Sequence, residues 1–240
     1  MIEALAWGAV AASTLLVGAL IAYVANPGRA VIAVVMAVGS GLLLGSVAYE
    51  LVDDALETQS LGAVAVALLL GAGVFAVGDW VIDRRGGKQR KDPSGDQETG
   101  SPLAIVLGSI LDGIPESFVL GLTVLQGGVS VSLLIAVGLS NLPEGMSSSS
   151  GLDRAGWPRR TVILMWVAVI AVSAVAAALG YALLDPEGDR NGALAQAFAG
   201  GALLAMLADT MLPESYEVEG VLTGLLVVVG FAIAIGLGAL

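Results

Sequence analysis

Neither cysteine nor histidine occurs in this 240-residue chain. The first absence excludes disulfide frameworks and thiolate metal sites. The second excludes imidazole ligands and histidine proton shuttles, so any metal binding or acid–base chemistry must use oxygen. Lysine is nearly absent too, at positions 88 and 91 alone, and the remaining cations are arginines. The formal net charge of −11 makes nucleic acid an unfavourable partner. An acidic, lysine-poor balance resembles halophilic proteomes, although a GC-rich genome also favours arginine. There is no nucleophile–base pair and no H-E-x-x-H motif, so the chain is not expected to be an enzyme.

What is abundant is apolar. Hydrophobic residues make up 57% of the chain and the mean hydropathy is +0.90, values that point to a multi-span helical membrane protein. The apolar blocks are too long for barrel strands and lack period-2 alternation. Eight segments of membrane-crossing length are expected at about 4–25, 29–52, 61–83, 102–125, 129–151, 160–184, 191–212 and 218–239. They form one transmembrane domain over 1–240. The first follows Glu3 rather than a basic stretch, which reads as a retained span and not a cleaved signal peptide.

Charge fixes the expected orientation. Arg29 lies in the first loop. Arg84, Arg85, Lys88, Arg90 and Lys91 lie in the third, and Arg154, Arg159 and Arg160 in the fifth. The opposite loops are acidic, with Asp53, Asp54 and Glu57, then Asp185, Glu187 and Asp189. Odd-numbered loops should therefore face the cytoplasm and both termini the outside of the plasma membrane. The third loop, 84–101, is basic and then rich in polar and small residues, which predicts a flexible linker whose basic half contacts anionic membrane lipid.

Two similar pieces lie within long apolar stretches: SILDGIPES and GLSNLPEGM. Glu116 and Glu144 are 28 positions apart, as are Pro115 and Pro143. An ionisable residue inside a membrane segment is a functional-site hypothesis by default. Asp112 and Glu116 are spaced to share a helix face, and so are Ser140 and Glu144. Each proline also frees a carbonyl, that of Leu111 or Leu139, which needs another partner in lipid. With no Lys or Arg in either span, the carboxylates are either partly protonated or neutralised by a divalent cation. Asp112, Glu116, Ser140, Asn141 and Glu144 are the candidate metal-binding residues.

A second repeat relates GSGLLLGSVAYELVDDA (39–55) to AGGALLAMLADTMLPES (199–215), every pair 160 positions apart. The two pieces run in opposite directions across the membrane. Spans one to three and six to eight would then be inverted repeats around four and five, a 3+2+3 arrangement typical of transporters. The competing explanation is chance likeness between two helices rich in Gly, Ala and Leu. Glu50 and Asp54 at the outer mouth, and Asp209 and Glu214 at the inner, are candidate entry and exit sites. Asp209 is expected to lie deeper than the helix-end acids Glu57, Glu217 and Glu219.

The paired motif resembles the fourth and fifth helices of the ZIP (Zrt/Irt-like) metal transporters, where H-N-x-P-E-G and H-[DN]-x-P-E-G line a binuclear site. LPES at 212–215 resembles the I-P-E of that family's seventh helix. The resemblance implies eight spans, alternating access, a homodimer and divalent metal as the transported substrate. It also implies a main site of Asp112, Glu116 and Glu144, with Asn141 completing a neighbouring site. Asp112, Gly113 and Ser140 stand where the family has His, Asn and His. Hard oxygen ligands suit Mg, Mn or Ca better than nitrogen-rich zinc sites do. Zn, Mn, Fe, Co, Cd and Mg all stay on the list. A relative that binds metal without transporting it, as a sensor or scaffold, is the alternative.

Overall fold

The computed structural model describes residues 1–87, 102–183 and 189–238. Asp185, Glu187, Lys88, Arg90, Lys91 and most of the third loop lie outside the described residues. Among the described residues there are eight helical rods and no strand. They are α1 (Ile2–Ala25), α2 (Arg29–Ser46, continuing to Thr58), α3 (Leu61–Ile82) and α4 (Pro102–Leu125). Then come α5 (Val131–Arg154), α6 (Arg159–Ala182), α7 (Asp189–Met206, continuing to Glu219) and α8 (Leu222–Gly238).

Six of the rods are long and apolar enough to cross a membrane, which makes this a multi-pass all-α membrane protein. The other two fall short for readable reasons. α5 carries the SSSS run and three motif polars, Ser140, Asn141 and Glu144, which lower its hydropathy, and α8 has only 17 described residues. Two helices also run past the predicted span ends. α2 continues through Asp53, Asp54 and Glu57, and α7 through Glu214, Glu217 and Glu219. A polar terminal turn extends beyond an apolar span without cost once water replaces lipid, so hydropathy understates helix length there.

Local chemistry sets the ends. Ser60 and Ser130 cap α3 and α5, their hydroxyls accepting from the backbone N–H of Ala63 (3.3 Å) and Leu133 (3.1 Å). Asn26 stops α1 in the left-handed conformation, φ 43°, that its short polar side chain tolerates. α2 and α7 are each interrupted by a π-helical turn, Val47–Asp53 and Leu207–Met211. Their first residues are 160 positions apart, the same interval as in the sequence repeat. Such turns recur at functional sites because the widened ladder frees carbonyls and shifts a face.

α2 lies along α8 and α3 along α7, while α1 lies along α5 and α6, and α4 along α6; α2 also packs along α5 and joins these two sets. Glycines permit the close crossings. Gly41 of α2 has no room for a Cβ against the carbonyl of Val227, and Gly201 of α7 has none against that of Leu68. Reciprocally, Gly230 of α8 abuts the carbonyl of Val38, and Gly71 of α3 that of Phe198. The same two-way contact recurs in the other set, between Gly18 and Leu142 and between Gly180 and Phe118.

Side-chain contacts show which helix ends lie together. At one end Arg159 stacks over Tyr23, 4.7 Å from the ring centre, and Ser215 donates to the Ala33 carbonyl at 2.9 Å. That end gathers the first, fifth and seventh loops. The bidentate Arg159–Asp153 pair, 3.0 and 3.1 Å, braces its fifth loop. At the other end Ser46 meets Ser132 at 3.0 Å and Gln196 donates to Gln126 at 3.2 Å. Arg29, Arg154, Arg159 and Arg160 sit at the first end; Asp53, Asp54 and Glu57 sit at the second. The first is the basic end of the molecule and the second the acidic end.

Candidate functional site

The two motif segments lie inside unbroken helices, Pro115 in α4 and Pro143 in α5. Five polar side chains predicted for the site are buried: Asp112, Glu116, Ser140, Asn141 and Glu144, each no more than 4% exposed. Isolated carboxylates that deep would be very costly, so they require hydrogen bonds, protons or a cation. Ser140 Oγ of α5 donates to Glu116 Oε1 of α4 at 2.9 Å. Ser109 Oγ of α4 donates to Glu144 Oε1 of α5 at 2.5 Å. Each glutamate is thus held by a hydroxyl from the opposite helix.

This cross-bracing gives the antiparallel pair expected from the short 126–130 loop a different form. The backbones of α4 and α5 approach closely over only a short stretch, and each packs chiefly on other helices. What joins them at this depth is polar. Among the described residues, no three acidic side chains are grouped closely enough to hold one metal ion. An ion here would therefore need Ser, Asn or carbonyl oxygens beside the carboxylates. Two such oxygens are in contact with the carboxylates, the hydroxyls of Ser109 and Ser140.

Ser109 was missed by sequence reasoning. The signal was available, since it precedes Asp112 by three positions and so shares its helix face. The SSSS run fits its expected packing role. Ser147, Ser148 and Ser149 are fully buried, and Ser149 accepts a 2.9 Å hydrogen bond from the Trp166 indole of α6.

The proposed mouths are less alike than expected. Glu50 lies in the π turn of α2, half-buried, and accepts a short hydrogen bond from Ser130. Asp54 is exposed one turn further on. At the basic end Glu214 is half-buried, but Asp209, expected to lie deeper than the helix-end acids, is exposed. It lies within the π turn of α7. Outside the motif pair Asp79, in α3, is a buried acid at 8% exposure.

No family model matches this chain, and no curated protein matches it. The chemistry of the site itself carries the functional reading.

Proposed function

We propose that this chain is a divalent metal-cation transporter of the ZIP type, with the metal as transported substrate. The observation that carries the reading is the cross-braced pair Glu116 and Glu144, buried with Asp112 between two proline-containing helices. Two serine hydroxyls offset part of the cost of burying these carboxylates, and a dication would neutralise the rest. The ligands are all hard oxygens, which favours Mn²⁺ or Mg²⁺ relative to a histidine site, though zinc also binds carboxylates.

In this reading the rods form 3+2+3 inverted repeats. Support comes from the π turns that begin 160 positions apart and from the reciprocal contacts Gly41–Val227 and Gly201–Leu68. The set α1, α4, α5 and α6 would carry the metal and move against the set α2, α3, α7 and α8, giving alternating access. The positive-inside rule puts the basic end in the cytoplasm and both termini outside the plasma membrane. The family resemblance adds a homodimer.

One observation favours a second reading. The absence of any three-acid group among the described residues suits a metal-binding sensor or scaffold that moves no ion. Uptake of Mn²⁺, Zn²⁺, Fe²⁺, Co²⁺, Cd²⁺, Mg²⁺ and Ca²⁺ into proteoliposomes separates the two. Flux lost in the Glu116→Gln/Glu144→Gln variant supports transport. Saturable binding with no flux of any ion supports the second reading.

A further inference from the structure

The corner between α7 and α8 is not filled by side chains. Gly220, at φ 56°, makes the sharp turn that glycine permits. Between the tail of α7 and the first turns of α8 lies a groove of about 620 Å³. Leu212, Pro213 and Tyr216 line one wall, and Val221, Gly224 and Val227 the other. Its deep end meets the π turn of α7 at Ala208. A Cβ at Gly224 would meet nothing within 4 Å. Thr223, which also lines the groove, is 4% exposed and shares its hydroxyl with Ser215 at 3.4 Å. The lining is carbon almost throughout.

Val221, Leu225 and Val228 beside the groove are exposed. In a multi-pass membrane protein such side chains face hydrocarbon. Water finds no partners in an apolar groove, so an apolar chain fills it. The volume is in the range of a site for one small molecule. The α8 wall, Val221 to Val227, is only about two helical turns long. That is too short for a partner protein, since a stable interface buries more than about 1,000 Å².

Tyr216, exposed, marks where the groove reaches the membrane surface at the basic end. Charges of both signs flank that end. Ser215 donates to the Ala33 carbonyl at 2.9 Å, which sets the first turn of α2 beside the tail of α7. Arg29 is one turn before Ala33, on the same helix face, and is exposed. Glu217, next after Tyr216, is exposed too. We infer that the groove holds an acyl chain of a phospholipid whose head group carries a phosphate and a primary amine. Arg29 takes the phosphate and Glu217 the ammonium, both through charge-assisted hydrogen bonds. The chain lies between Pro213 and Val227 and reaches the π turn, so the lipid braces the α7–α8 corner. This rests on the membrane assignment and not on metal transport.

Native mass spectrometry of the detergent-solubilised chain, with dioleoyl phosphatidylethanolamine, phosphatidylcholine or phosphatidylglycerol added, tests the site. One phosphatidylethanolamine per chain is expected. It should be held about tenfold more tightly than phosphatidylcholine, whose methylated amine donates no hydrogen bond, or phosphatidylglycerol, which has no amine. Gly224→Leu, which fills the groove, should remove retention. Arg29→Ala should weaken it about tenfold, and Glu217→Gln should erase the preference over phosphatidylcholine. Equal retention by Gly224→Leu and the natural sequence, or equal retention of all three lipids, overturns the proposal. Should Gly224→Leu fail to fold, phosphatidylethanolamine with a diazirine on its acyl chain gives a second reading in liposomes of the natural sequence. Crosslinks concentrated between Leu212 and Val227 are expected; crosslinks spread evenly over the exposed faces of α3 and α8 overturn the site. Neither readout uses metal, so failed metal uptake would remove the transport reading and leave the lipid site.

Discussion

Ser109 and Glu144 sit on different helices, and the hydroxyl of one lies 2.5 Å from Oε1 of the other, fully buried. With Ser140 and Glu116 related in the reverse sense at 2.9 Å, two serines fix the directions of two carboxylates. A hydroxyl donated to a carboxylate fixes the direction in which its oxygens point, as an oriented cation site requires.

Ser109→Ala should therefore weaken metal binding without abolishing it. Hydrogen bonds to charged groups contribute about 1.5–3 kcal/mol, so affinity should fall by about tenfold or more. Ser109→Thr, which keeps the hydroxyl, should restore it. Titration calorimetry of the detergent-solubilised protein reads both. Equal affinity in the Ala variant would show that the bond positions nothing.

The glycine crossings predict matched losses of stability. Gly41→Val and Gly201→Val each push a side chain into a facing carbonyl, which should cost about 1–3 kcal/mol or more. Gly73→Val, where nothing lies within 4 Å, should be tolerated. Thermal midpoints of the three purified variants compare them directly. Loss at Gly41 without loss at Gly201 would argue against equivalent roles for α2 and α7.

The Trp166 indole offers a simpler check of packing within the α5–α6 pair. Trp166→Phe removes the donor to Ser149 and leaves a buried hydroxyl less well satisfied. A loss of about 1–3 kcal/mol is expected. Ser149→Ala in the same background should add little, since both partners are then gone. A double-mutant cycle on unfolding free energy tests this.

Helix positions were legible in the sequence because apolar runs of membrane length have few other solutions. α4 was bounded at both ends, 102–125, by Pro102 and the Gly127–Gly128 turn. The tails of α2 and α7 were not, because hydropathy reads the membrane and not the helix. The π turns were invisible, since no residue type demands them. Asp209, exposed, lies in one of them. The carboxylates of the site were visible from their cost in an apolar segment. Ser109 was not, because a buried serine in such a helix more often serves packing or bonds its own backbone, as Ser40 does to the Met36 carbonyl at 2.7 Å.

The sequence repeat and the packing repeat also differ by one helical turn in α4 and α5. The motifs recur after 28 positions, whereas the glycine contacts recur after 24. In the packing Glu116 meets Ser140 rather than Glu144, at the same interval of 24. This predicts that Ser140→Glu should destabilise the fold, placing a second buried acid against Glu116, with a lowered thermal midpoint as the readout. An unchanged midpoint would indicate that the pair is looser than its 2.9 Å separation implies.

Uptake of radiolabelled Mn²⁺ into proteoliposomes, beside the Glu116→Gln/Glu144→Gln variant, tests the central claim most directly. The account predicts saturable uptake by the natural sequence and background uptake by a variant that elutes and melts like it. Equal uptake by both proteins would contradict the site, and the absence of flux for every ion tried would contradict transport.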